Sequence, residues 1–144
     1  MNRITLILAT ALLAWGVIAC NNDGAKNKPL VGTHWRLIEL NGHPVEVGKN
    51  APEPHIGLDS ATNRFNGNAG CNTFFGSYEL GEAGKITFSQ VAATRMMCLD
   101  MELENLFLPI FESIDGYRIK GSELTFIDVS KSPLARFTAA PTPR

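Results

Sequence analysis

The sequence predicts a mainly β, α+β fold: a small antiparallel sheet curled into a barrel or half-barrel, with one helix packed across its open face or end. Three observations lead there. Short β-rich segments alternate with turn residues along most of the chain, one stretch alone breaks into helical spacing, and the span from Leu30 to Thr138 suits one domain with one core.

The first strand candidate, "THWRLIEL", ends at Asn41-Gly42, a dipeptide that suits the positive φ angles of a tight hairpin turn. "HIGLD", "TNRFNG", "FFGSYEL", "KITFS", "GYRIKG", "ELTFID" and "LARFT" follow as further strands. Ile86 and Phe88 share a face, as do Leu124 and Phe126, which is the period of a half-buried strand. "TRMMC", Thr94 to Cys98, is read as a strand as well, with Arg95 turned opposite to Thr94 and Met96. Between Met101 and Ile114 the pattern changes. Leu103, Leu106, Phe107, Ile110, Phe111 and Ile114 fall at spacings of three and four, predicting an amphipathic helix. Asp100 can cap it, and Glu102 and Glu104 suit the dipole of an exposed helix start. Pro109 cannot donate to the carbonyl of Asn105, so a kink is expected there.

The N-terminus reads as a targeting segment. Arg3 precedes a mostly apolar run from Ile4 to Ile18, and small Ala19 stands before Cys20. The run is shorter than the about 20 apolar residues of a membrane span and is interrupted by Thr5 and Thr10. "VIAC", Val17 to Cys20, resembles a bacterial lipobox, whose cysteine is acylated and becomes the first residue of the mature chain. The expected organisation is therefore a lipoprotein signal peptide over 1–19, lipidated Cys20 with a flexible tether to residue 29, a folded domain over 30–138, and a frayed tail over 139–144. Asn21 is not the aspartate that retains lipoproteins at the inner membrane in enteric-type sorting. The expected place is the outer membrane, facing the periplasm.

Of the 13 Lys and Arg residues only Arg3 lies in the leader, which leaves 12 against 14 Asp and Glu. With no basic patch and an exported chain, nucleic acid is not an expected partner. A monomer held to the membrane by its lipid is expected. Setting Cys20 aside leaves Cys71 and Cys98, and in an oxidising compartment pairing is the default. A closed loop of about 27 residues would contribute roughly 3 to 4 kcal/mol in the chain-entropy model.

A catalytic role for the cysteines competes with that staple. Cys98 lies two residues before Asp100, where a helix N-terminus lowers a thiol pKa, and His34, His43 and His55 are available as bases. A thiol enzyme still needs a reduced thiolate and an oriented base, whereas the obvious partner of each cysteine is the other. No catalytic residue and no cofactor is assigned. His43 and His55 have no partner at metal-ligand spacing, and surface loops account for the histidines. Gly67, Gly70 and Gly76 lead into a strand rather than a helix, which suits bulges and close strand crossings better than a phosphate loop. Two binding features remain. Arg95 and Asn72 are candidate polar contacts, either structural, with Arg95 on loop carbonyls or on Glu102 or Glu104, or for a partner. Trp35, Phe88, Phe107, Ile110, Phe111, Ile114 and Phe126 could line an apolar cavity under a helix imperfectly seated at Pro109, the alternative being a packed core.

The order Trp35-x-Leu37, Asn41-Gly42, "FNGNAGCNTFFGSY", "TRMMC", a helix with acidic residues and Leu106-Phe107, then "YRIKGSELTF" resembles the META domain, also called the HslJ-like domain, over about Leu30 to Phe137. Each of its two cysteine blocks carries one cysteine. The resemblance implies a small β-rich fold with a helix across it, often on bacterial envelope lipoproteins, with ties to stress response and no established enzymatic activity. It implies that Cys71 and Cys98 are a staple between a glycine turn and the start of the helix. By fold analogy with secretion pilotins it also admits a carrier of an apolar ligand such as an acyl chain. Thr73, where the family block often continues with a basic residue, and Pro109 depart from the pattern.

Overall fold

The computed structural model describes residues 26–48 and 50–141. The signal peptide, Cys20, most of the tether and the last three residues lie outside the described residues. Nine strands form one sheet: β1 (His34–Leu40), β2 (His43–Pro44), β3 (His55–Asp59), β4 (Arg64–Asn68), β5 (Thr73–Leu80), β6 (Ile86–Ala93), β7 (Gly116–Lys120), β8 (Glu123–Ile127) and β9 (Pro133–Ala140). The spatial order is β6-β5-β4-β3-β1-β9-β8-β7, with β2 returning on β1 through the Asn41-Gly42 turn, and every pairing is antiparallel. Among the described residues the two edges of the sheet are joined by backbone hydrogen bonding at one place. A bridge joins Lys85 to Gly116, and the N–H of Ile86 donates to the Asp115 carbonyl at 3.3 Å. The sheet is thus a half-barrel, one of the two curled forms the sequence predicts, with its outer edges meeting at that point.

The open side is covered by α1 (Glu102–Phe107), continued by a 3-10 segment, Leu108–Glu112. The change of pitch falls where Pro109 lacks an N–H, so the expected kink takes the form of a tighter winding. Phe107, Ile110, Phe111 and Ile114 point inward as the spacing requires, but Leu106 is half exposed.

The core is aromatic. Phe65, Phe74, Phe88, Phe107, Phe111, Phe126 and Phe137 form a continuous set with ring centroids 4.8 to 6.1 Å apart. Such pairs add about 0.5 to 1.5 kcal/mol each beyond burial. The inner positions of the strands supply Trp35, Leu37, Ile56, Ile86 and Leu124 around them, all buried. Two glycines make room for the rings on a tightly curved surface. A Cβ at Gly76 would sit 2.5 Å from the Phe65 ring and 2.8 Å from the Ser89 carbonyl, and one at Gly67 would strike the His55 carbonyl and the Phe74 ring. Opposite Gly76 the register of β6 slips, and Gln90 takes a positive φ of 52°, so the predicted bulge is present.

Several expectations need correction. "TRMMC" is not a strand: β6 ends at Ala93, and Thr94 to Met101 is an irregular connection into α1. β9 runs through Ala139 and Ala140, which pair with Trp35 and His34, so the ordered sheet passes the expected start of the tail. At the other end Asn27 and Lys28 are fastened to the β7–β8 turn, the Gly121 N–H donating to Asn27 Oδ1 at 2.7 Å and the Lys28 N–H to the Gly121 carbonyl at 2.8 Å. His34 and His55 lie on strands rather than surface loops.

Candidate functional site

The connection from Thr94 to Met101 is irregular, yet it is fixed at several points, and Asn72 is the centre of that fixation. Asn72 is 1 % exposed and follows Cys71 in the β4–β5 turn. Its amide treats Met96 as a neighbouring strand would: the Met96 N–H donates to Oδ1 at 2.7 Å, and Nδ2 donates to the Met96 carbonyl at 3.1 Å. The Thr94 hydroxyl donates to the same Oδ1 at 2.8 Å. Behind Asn72 stands Glu104, 7 % exposed, whose two carboxylate oxygens accept from the Asn72 backbone N–H at 2.7 Å and from Nδ2 at 2.8 Å. A buried amide and a buried carboxylate are costly unless satisfied, and here each satisfies the other.

The disulfide adds the covalent tie. Cys71 and Cys98 are bonded, with Cα atoms 6.1 Å apart, so the connection is held at its middle by Asn72 and near its end by Cys98. Asp100 accepts from the Glu102 N–H at 2.9 Å, yet the N-cap position belongs to Met101, so Asp100 supports the helix start without being the cap expected from the sequence. The side chains carried by this fixed backbone are apolar and exposed: Met96 at 58 %, Met97 at 98 %, and Leu99 fully. Arg95, among them, is exposed and makes no hydrogen bond or ion pair among the described residues. It makes neither of the expected contacts, with Glu102 or with Glu104, and Glu104 is taken up by Asn72.

From the sequence Glu104 is expected on an exposed helix start, whereas the structure buries it. The signal was present. Glu104 stands three residues before Phe107 and seven before Phe111, on the inward stripe of the helix, where a carboxylate requires a donor. Met97 falls inside the expected Thr94–Cys98 strand, where an apolar residue cannot be told from core, and Leu99 lies in the short gap between that strand and the expected helix.

The other candidates are structural in their geometry. Trp35, Phe88, Phe107, Ile110, Phe111, Ile114 and Phe126 belong to the packed core. An open groove of about 460 Å³ does lie at Pro109, between that segment and β6, with Phe88 and Phe111 at its base. His34 Nε2 lies 3.0 Å from Glu53 Oε1, His55 Nδ1 donates to the Glu53 carbonyl at 2.8 Å, and the two rings are 4.4 Å apart. Burial pushes His55 below its usual value of 6.5, and the neighbouring His34 adds to that. Both cysteines of the domain are in the disulfide, and among the described residues no group of three metal-binding side chains converges.

These features define a class: a single-sheet β half-barrel whose open side is covered by a short helix, and whose β4–β5 turn is stapled to the segment preceding that helix. The chain belongs to the META domain family, whose model matches residues 28–141. It is similar to the heat shock protein HslJ of Escherichia coli K12, with 29 % identity across 99 % of this chain and 93 % of that protein. Among solved structures, a protein from Burkholderia xenovorans has the same fold with a TM-score of 0.61 at 23 % identity, over 77 % of this chain and 83 % of that one. A DUF4847 family protein from Bacteroides vulgatus follows with a TM-score of 0.54 at 12 % identity, over 79 % of this chain and 96 % of that one.

Proposed function

We propose that this META domain protein is a non-enzymatic, lipid-anchored envelope protein whose domain works as a protein-interaction module, in keeping with the stress-related name of its HslJ relative. The observation that carries the proposal is the fixed apolar loop. A disulfide and a buried Asn–Glu pair hold the backbone of a segment that turns Met97 and Leu99 into solvent. Holding exposed apolar groups in one conformation lowers the ordering cost of binding, beyond what the disulfide and the Asn–Glu pair contribute to the fold. Acylation at Cys20 would attach the chain to the outer membrane as a monomer facing the periplasm.

Two experiments test the proposal. An acyl-chain analogue labels the wild-type protein, and Cys20→Ala abolishes the label; an unlabelled wild type contradicts the anchor. A Met97→Ser, Leu99→Ser double variant retains its thermal midpoint and loses co-purifying protein; unchanged co-purification contradicts the module. A second reading, carriage of an apolar ligand, is favoured by the groove at Pro109. Saturable binding of a fluorescent fatty acid, weakened by filling that groove with Ala92→Phe, would support it. The third, a thiol enzyme, requires an alkylatable Cys71 or Cys98 in the native envelope.

A further inference from the structure

Next to the fixed loop lies a groove of about 660 Å³ between the β1–β2 hairpin with its following loop and the outer side of α1. Its apolar surface comes from Leu40, Val45, Leu103 and Leu106, of which Leu106 is 51 % exposed although it lies on the apolar side of the helix pattern. Among the described residues its charged groups are all of one sign. Glu46 on the hairpin side and Asp100 and Glu102 on the helix side line it, and none of these carboxylates has a basic ion-pair partner among the described residues. His43 is the one titratable nitrogen in the lining. Asp100, in the lining, follows the exposed Leu99 directly in the chain, so the groove begins where the exposed loop ends.

We infer that this groove is the binding site for a basic amphipathic segment of a partner protein. Resting on the interaction-module reading, the inference names the partner's chemistry. Complementarity decides the occupant. An apolar side chain of the segment enters between Val45 and Leu106, and lysine or arginine on its flanks meets Glu46, Asp100 and Glu102, the arrangement by which an amphipathic segment lies in a groove. An acidic segment would face three carboxylates, and an anionic lipid surface would meet the same repulsion. Glu102 and Leu106 are one helical turn apart on α1, so the apolar and charged contacts fall on one line of the helix.

The test titrates the full-length, disulfide-bonded protein with a helical peptide built from leucine and lysine, beside the same peptide with glutamate for lysine, and beside vesicles of phosphatidylcholine with and without phosphatidylglycerol. Saturable binding of the lysine peptide is expected, with affinity falling as salt rises. Leu106→Ser and Glu102→Gln each weaken it about tenfold, the scale of a groove contact, while Val129→Ser, at an exposed site outside the groove, leaves it unchanged. Leu106 and Glu102 are exposed enough that thermal midpoints stay near wild type, which separates lost binding from lost folding. Equal binding of the two peptides, binding to vesicles alone, or indifference to Leu106→Ser overturns the groove assignment. If peptide binding responds to Met97→Ser and not to Leu106→Ser, the groove assignment fails while the interaction module stands. Absence of binding to either peptide overturns the groove assignment, and the module then answers to the co-purification test.

Discussion

Asn72 uses every polar atom it has: its N–H and Nδ2 on Glu104, Nδ2 again and Oδ1 on Met96, Oδ1 on Thr94, and its carbonyl on the Ala69 N–H. Asn72→Ala should therefore cost more than an ordinary surface change, about 1 to 3 kcal/mol for the donors and acceptors it leaves unpaired. Glu104→Gln should also destabilise, although it is nearly isosteric. Both contacts to Glu104 are donors, and a glutamine would turn one of its own N–H groups toward them. Urea unfolding of the two variants checks this, and a neutral Glu104→Gln would contradict the hydrogen-bond assignment. At His55 the expectation concerns pH. Burial lowers its pKa in the folded protein, so below 6.5 the unfolded chain binds the proton more readily. The stability associated with His55 is complete above that value and is lost as pH falls through the folded pKa. The thermal midpoint should decline from pH 7.5 to 5.5, less steeply in His55→Gln; parallel slopes would contradict the burial effect.

The elements divide into those whose period decides them and those decided by a contact. β1, β6 and β8 were legible because Trp35 with Leu37, Ile86 with Phe88, and Leu124 with Phe126 alternate with polar residues, and the α1 region because its apolar spacing is helical. "TRMMC" was not legible. Thr94 and Met96 do make ladder-like hydrogen bonds, the Thr94 N–H donating to the Thr73 carbonyl and the Met96 N–H to Asn72 Oδ1, but the second runs to a side chain, and side-chain pairing leaves no period in the sequence. The helical spacing likewise holds for Phe107 and Phe111 and fails at Leu106, which is half exposed in the groove beside the β1–β2 hairpin. The staple belongs to this scale. Its 27-residue separation predicts that Cys71→Ser or Cys98→Ser costs about 2 to 5 kcal/mol, and that the native oxidised protein resists alkylation until it is reduced or unfolded. Rapid alkylation of the untreated protein would contradict it. Gly67→Ala should destabilise comparably with a core defect, at about 1 to 3 kcal/mol for overpacking, since the added methyl meets backbone and ring together.

In the whole molecule the two ends of the half-barrel differ. Strands alternate in direction, so the end of β6, the β4–β5 turn and the β1–β2 hairpin share one end, while the β7–β8 turn lies at the other. The N-terminal segment is fastened at Gly121, on that second end. A lipid on Cys20, with a tether reaching roughly 15 Å, would thus hold the second end toward the membrane and present Met97, Leu99 and the acidic groove away from it. This arrangement is what an interaction module needs and what a membrane-inserting loop would not have. The most direct measurement places a photo-crosslinking amino acid at position 97 in the full-length protein in living cells, with position 129 as the control. The account predicts a discrete adduct to a protein at 97 and none at 129, with the crosslinked partner peptide carrying apolar and basic residues, and with the adduct diminished in Cys71→Ser. Adducts to lipid alone, or equal yields at the two positions, would contradict it.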